Sequence, residues 1–194
     1  MIKKKIKTIG FCICGSFCTI SKAIQEMKKL KHLGFKILPI MSFTAYQTDT
    51  RFGKAKDIVN TVETIAEQKI IKTISAAEPI GPKNLTDLIL IEPCTSNTLS
   101  KLEKSITDTP VTMAVKSHLR TLRPVVIALA SNDALGSTAK NLGSMLNRKL
   151  YYFVPMKQDD PILKPNSLVA DFELTIKTVK NSFQGKQIRP LFLT

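Results

Sequence analysis

Leu88-Ile89-Leu90-Ile91-Glu92-Pro93-Cys94-Thr95-Ser96-Asn97-Thr98 sets a short apolar run against a loop of small hydroxyl and amide residues, and Leu99 to Lys104 then resume a helical pattern. The apolar run is long enough for one buried strand. A strand that breaks into Thr, Ser and Asn and turns into a helix leaves backbone N–H groups free at the helix N-terminus. Those donors and the helix dipole favour an anion, most often a phosphate. Apart from Glu92, no bulky side chain blocks approach to this loop. The same grammar occurs where Gly15-Ser16-Phe17-Cys18-Thr19 follows Ile9 to Ile13, and where Ala130-Ser131-Asn132-Asp133 follows Val125 to Leu129. Three such loops predict one ligand cradle at one edge of a sheet.

Around these loops the hydrophobic period switches repeatedly between strand and helix. Strands are predicted at Lys5 to Ile13, Phe35 to Met41, Ile70 to Ile74, Leu88 to Ile91, Val125 to Leu129 and Tyr151 to Val154. Helices are predicted from Ile20 to Leu33, where Gly34 supplies a left-handed stop, and at Lys54 to Glu67, Asn97 to Ser105, Val111 to Thr121, Ala134 to Asn147 and Ser167 to Phe183. Ser42 to Gly53 reads as a loop. Alternation with short connections predicts an α/β three-layer sandwich, flavodoxin-like or Rossmann-like, with a parallel sheet of about six strands. Right-handed crossovers then put the three loops at the carboxyl ends of the strands. No linker divides the chain, so residues 1–194 read as one domain.

Composition excludes several classes. A chain with 43% hydrophobic and 23% charged residues can bury a core and is not disordered. No stretch offers the ~18 uninterrupted apolar residues of a membrane span. Lys3, Lys4, Lys5 and Lys7 before an apolar run imitate a secretory signal, but Ser21-Lys22 opens a charged helix where a cleavage site would stand. Cys12, Cys14, Cys18 and Cys94 are too irregularly spaced for a disulfide framework or a common zinc pattern. A site formed by Cys14, Cys18 and Cys94 would need the fourth predicted strand beside the first; buried free thiols in a reducing cytoplasm are the simpler reading, and no metal is expected. The net charge of +14 comes mostly from lysine, with five arginines among 29 basic residues. Nucleic-acid recognition prefers arginine forks and aromatic platforms, so the excess reads as a solvated surface whose field attracts small anions.

Gly15-Ser16 lacks the full G-x-G-x-x-G fingerprint, and no acidic residue ends the second strand to hold a ribose. That strand ends in Ser42-Phe43-Thr44, whose hydroxyls can donate to a phosphate, so a mononucleotide fits better than NAD. Arg51, in a threonine-rich loop beside Phe52-Gly53, is the one arginine before residue 120. It is either a surface residue or a planar fork for a carboxylate. His32 and His118 fall on predicted helices with no partner pattern and read as surface histidines. No nucleophilic triad can be assembled.

Gly15-Ser16, Ser42-x-Thr44, Pro93-Cys94-Thr95-Ser96-Asn97-Thr98 and Ala130-Ser131-Asn132-Asp133, in that order, resemble the homo-oligomeric flavin-containing cysteine decarboxylases. That superfamily includes peptidyl-cysteine and phosphopantothenoylcysteine decarboxylases and flavin prenyltransferases. Thr48-Asp49-Thr50-Arg51-Phe52-Gly53, Ala77-Glu78-Pro79-Ile80-Gly81-Pro82, Thr107-Asp108-Thr109-Pro110, Lys164-Pro165-Asn166-Ser167 and Gln184-Gly185-Lys186-Gln187 extend the likeness to the family of dipicolinate synthase B subunits. The resemblance implies FMN held by Gly15, Ser16, Ser42, Thr44, Pro93, Thr95, Ser96, Asn97, Thr98, Ala130, Asn132 and Asp133. It implies a homo-oligomer, for which Val111 to Leu119 and the last helix carry surplus apolar surface. It also implies a partner, the dehydrogenase-like A subunit of dipicolinate synthase, which supplies NAD(P). The pair would oxidise dihydrodipicolinate to dipicolinate in spore formation, with Arg51 on the dicarboxylate. A stand-alone FMN decarboxylase or prenyltransferase and a non-catalytic scaffold stand as alternatives, and two departures weaken the first. The decarboxylases' histidine is missing from Ser75 to Pro82, and their P-x-M-N-x-x-M loop is here Leu129-Ala130-Ser131-Asn132-Asp133-Ala134-Leu135.

Overall fold

The structure, a computed structural model, describes residues 6–194; the predicted lysine leader at residues 3–5 lies outside them. Strand β1 (Thr8–Ile13) pairs in parallel with β2 (Lys36–Met41) on one side and with β3 (Leu88–Cys94) on the other. Beyond β3 lie β4 (Val125–Ser131) and then β5 (Tyr151–Phe153), also parallel. The parallel order β2-β1-β3-β4-β5 is that of doubly wound flavodoxin-like sheets, which reverse winding between β1 and β3. A short antiparallel pair, β6 (Met156–Lys157) and β7 (Leu168–Ala170), is added where Val169 and Leu168 pair with Ala130 and Ser131.

Every residue of β3 and β4 is buried, because helices cover both faces. Leu88, Leu90, Val126 and Ala128 pack with α1 (Phe17–His32), α3 (Ala55–Ala66) and α8 (Thr175–Ser182). Ile89, Ile91, Ile127 and Leu129 point the other way. They meet α4 (Ile74–Ala77), α5 (Ser96–Glu103), α6 (Pro110–Leu119) and α7 (Ala139–Leu146). Strand alternation therefore feeds two cores instead of one core and one wet face. Gly34, at φ +88°, ends α1 as its position suggested.

Several element boundaries differ from the sequence reading, each for a local polar reason. Only Ile71 of the predicted third strand bridges the sheet, to Ile40, because Thr73 caps α4 by accepting a bond from the Ala76 N–H at 3.2 Å. Inside the predicted loop, Ser42 caps the short helix α2 (Phe43–Gln47) in the same way. Helix α7 starts five residues later than predicted, at Ala139, because the Asp133 carbonyl accepts from Gly136 and Thr138 and folds the intervening residues into turns. The predicted last helix divides into β7, a 3-10 turn at Phe172–Leu174 and α8; strands this short show no period. The apolar side chains Val111, Ala114 and Val115 of α6 are fully used in this chain's own core, so they are no surplus for an oligomer.

His118 is the largest correction on the amino side of the sheet. It is 1% exposed, not a surface histidine. Its Nε2 lies 3.1 Å from the Pro124 carbonyl, which can only accept, so the proton sits on Nε2. Nδ1 therefore accepts from the Thr86 hydroxyl at 2.8 Å. Burial, with Arg123 nearby, pushes its pKa down to about 4. The unfolded chain then binds a proton that the folded chain refuses between the ordinary histidine value and about 4. The contribution is complete above the unfolded value and is lost as pH falls, reaching about 3 kcal/mol. Urea unfolding at a series of pH values should show this loss in the parent and a flatter acid limb in His118→Gln.

Candidate functional site

At the carboxyl edge of the sheet the ends of β1 and β3 are joined directly: the Cys14 N–H donates to the Pro93 carbonyl at 3.1 Å. The Ser16 N–H turns back onto the Cys14 carbonyl at 2.9 Å, and α1 starts at the next residue. Ser16 makes no side-chain cap, so the first N–H groups of α1 keep their donors free of one. At α5 the Thr95 hydroxyl caps the Thr98 N–H at 3.3 Å. The Thr98 hydroxyl in turn donates to Cys14 Sγ at 3.3 Å, which ties the two loops together from beneath.

These loops frame a cavity of about 380 Å³. Of the residues predicted to hold a cofactor, Gly15, Ser16, Thr95, Ser96, Ala130 and Asn132 line it. The other six stand behind or beside the wall. Ser42 spends its oxygen on the α2 cap, and Thr44 packs its methyl against Gly15, where an added Cβ would sit 3.1 Å away. Pro93 and Thr98 are buried, and Asn97 is exposed on α5. The Asp133 carboxylate accepts from the hydroxyls of Ser131 at 2.7 Å, Thr138 at 2.9 Å and Ser137 at 3.0 Å. Those bonds, the Ser131 one foremost, hold its pKa below the usual carboxylate value, so Asp133 shapes the loop and does not face a ligand phosphate.

The wall also contains Phe17, Cys18, Thr19 and Ser131, which lie in the predicted loops but were not assigned to the cofactor, and residues those three loops did not include: Phe52, and Asp159, Lys164, Ser167 and Val169 from the β6–β7 region. Val169 and its neighbours arrive through the antiparallel pair, which left no periodic signal. The Lys164-Pro165-Asn166-Ser167 motif was the one available pointer. Arg51 is outside the wall and exposed; its guanidinium carbon lies 4.9 Å from the ring centroid of Phe52, which does line the cavity. Cys14 and Cys94 are buried in the core while Cys18 is exposed, so the three thiols do not form one site. Burial pushes the Cys14 thiol up to about 11. No metal-ligating cluster occurs among the described residues.

Small residues, the Ser16 hydroxyl, which accepts from Thr19 and keeps its own proton to donate, and an uncapped helix start suit a phosphate, and Phe17 and Phe52 offer apolar faces to a ring. The residues present fit a mononucleotide.

Glu92, expected as an obstacle in front of the loop, points away from it into the α1 and α8 layer. Its Oε1 accepts from the Thr175 hydroxyl at 3.1 Å, and its Oε2 has no partner. Glu26 of α1 stands close enough to repel it, and Lys29 bonds Glu26 at 2.6 Å. Burial pushes the Glu92 carboxyl well above its ordinary value, Thr175 and Lys29 opposing and Glu26 reinforcing. A raised folded-state pKa stabilises below the unfolded value and loses that contribution as pH rises through the folded value. Thermal midpoints measured at rising pH, starting from the ordinary carboxylate value, should fall more steeply for the parent than for Glu92→Gln, which keeps a neutral side chain.

The model of the Flavoprotein family matches residues 2–163. The chain is 38% identical over 193 residues to the dipicolinate synthase B subunit of Bacillus subtilis (strain 168), covering all of this chain and 96% of that one. The crystal structure of the dipicolinate synthase B subunit from Bacillus halodurans C superposes with a TM-score of 0.89 at 38% identity, covering 97% of this chain and 96% of that one. The FMN-dependent cysteine decarboxylase SpaF shares the fold, with a TM-score of 0.67 at 19% identity over 92% of this chain and 97% of that one.

Proposed function

The chain belongs to the Flavoprotein family, and from that premise we propose that it serves as the B subunit of a dipicolinate synthase. The observation that carries this reading is the 38% identity along the whole chain, which includes the ordered loops of the cavity. In the proposed reaction dihydrodipicolinate loses two hydrogens, as a hydride and a proton, and becomes aromatic dipicolinate. The dehydrogenase-like A subunit takes the hydride on NAD(P), consistent with the missing dinucleotide fingerprint here. In this chain Ser16, Thr95, Ser96 and the start of α1 would hold the phosphate of FMN, and Asn132 lies at the third loop. Phe17 and Phe52 would offer apolar cover to the flavin ring. Bound there, FMN would supply a two-electron redox centre.

No group in the wall is arranged as a nucleophile with its base. Cys18 is the thiol at the cavity, and His118 is buried at the opposite end of the sheet. That arrangement favours a binding and positioning role over a self-sufficient decarboxylase or prenyltransferase. The proposal extends to a homo-oligomer in the cytoplasm; among the described residues no helix is long and apolar enough to cross a membrane. An absorbance spectrum of the purified chain, before and after adding FMN, tests the cofactor, and light scattering of the same sample tests assembly. Flavin bands that stay with a mass of several chains are expected. A colourless protein that takes up no FMN yet associates with the dehydrogenase-like partner would favour a scaffold role instead.

Arg51, held against Phe52 at the cavity rim, is proposed to contact the dicarboxylate. Arg51→Ala should weaken kcat/KM of the reconstituted two-component enzyme by about 1.5–3 kcal/mol, as loss of a charge-assisted bond does. Arg51→Lys should recover part of that, lacking the planar fork. Equal values for all three would return Arg51 to the solvated surface.

A further inference from the structure

In a chain of net charge +14, the cavity wall is almost without charge. Among the described residues that line it, Lys164 is the single basic side chain and Asp159 the single acidic one. Both belong to the segment that joins β6 to β7. Lys164 Nζ lies 2.5 Å from Asp159 Oδ2, with 56% of the lysine and 41% of the aspartate side chain exposed. An ion pair this open to water is held weakly and exchanges readily for another anion.

The backbone beneath the pair is firmly built. The Lys164 N–H donates to the Asp160 carbonyl at 2.8 Å, and Asp160 Oδ1 accepts from the N–H groups of Ile162 and Leu163. The Ser167 N–H donates to the Lys164 carbonyl at 3.0 Å, and the Ser167 hydroxyl donates to the Ser131 carbonyl at the end of β4. The stem of Lys164 is thus anchored to the sheet that carries the third loop, while its ammonium is replaceable in its contacts. Proximity to Asp159 keeps that ammonium protonated.

We propose that Lys164 binds one carboxylate of the substrate dicarboxylate, and that Asp159 holds the ammonium at the cavity until that carboxylate displaces it. The proposal rests on the reading of this cavity as the FMN site whose rim receives the substrate dicarboxylate. It differs from the role given to Arg51, which stands at the rim and outside the wall. The displaced Asp159 carboxylate is already partly in water, so it needs no new partner.

The test is calorimetric titration of pyridine-2,6-dicarboxylate into the purified chain with FMN added, at neutral pH and fixed ionic strength, with thermal midpoints measured alongside. Lys164→Met should weaken binding about five- to tenfold, and Lys164→Arg should keep most of it. Asp159→Asn should tighten binding about threefold, because it removes the competing anion. Opposite signs from two paired neighbours, with thermal midpoints little changed, separate ligand competition from a structural role. Unchanged affinity in Lys164→Met, weakening in both variants alike, or no binding of the dicarboxylate to the parent would overturn the proposal. So would a Lys164→Met variant that loses FMN and keeps the dicarboxylate, since Lys164 would then serve the phosphate. Flavin absorbance is read in the same samples. A colourless chain that still binds the dicarboxylate through Lys164 would overturn the cofactor reading and leave this one standing.

Discussion

Complete burial of β3 on both faces is the constraint on which the remaining architecture depends. A central parallel strand has no wet side, so its residues must satisfy two helical layers, and Leu88 to Ile91 do so by alternating between them. The polar backbone of such a strand is satisfied by its neighbours β1 and β4 along its length. Only at its carboxyl end does the ladder become irregular, where the β3–β4 register shifts between Ile91 and Cys94. There the chain must turn outward, and the Cys14 N–H to Pro93 carbonyl bond fixes how the first and central loops turn together. The cavity follows from that local departure from regular pairing.

Glu92 and His118 are ionisable groups tolerated inside this apolar frame, at opposite ends of the sheet. His118 is neutral because both ring nitrogens have uncharged partners and no carboxylate is bonded to the ring. Glu92 is pushed toward its neutral form because only one of its oxygens finds a donor and Glu26 lies nearby. His118 ties together Thr86, α6 and the entry to β4, and Glu92 ties β3 to α8. Burial of a charge would cost several kcal/mol, so each group shifts its pKa instead. The sheet thus has one polar pin at each end.

The distribution of charge separates two scales of recognition. Lysines spread over the surface create a long-range field that draws small anions from solution. The wall itself is built of hydroxyls, an amide and a helix start, a set whose geometry suits a phosphate without repelling a neutral ring. Asp133 is accommodated among these groups because three hydroxyls occupy it, and Asp159 because Lys164 does. The SpaF structure shares this fold at 19% identity.

The parallel α/β sandwich was legible in the sequence because its long elements carry clear periods: two-sided apolar runs at Leu88 to Ile91 and Val125 to Leu129, and amphipathic helices between them. Proximity of the Gly15, Thr95 and Asn132 loops followed from strand polarity alone, since parallel strands place all their carboxyl ends at one edge. Local hydrogen bonds decided what the period could not. Asp133 delayed α7, Thr73 replaced a strand with a helix, and Val169 joined a three-residue strand whose partners are distant in sequence. Tertiary packing alone turned Glu92 inward, buried His118, and brought Asp159, Lys164 and Ser167 to the third loop. The physical reason is that a residue's periodicity reports its own element's covered face, whereas a polar contact between elements depends on where both ends finish in space.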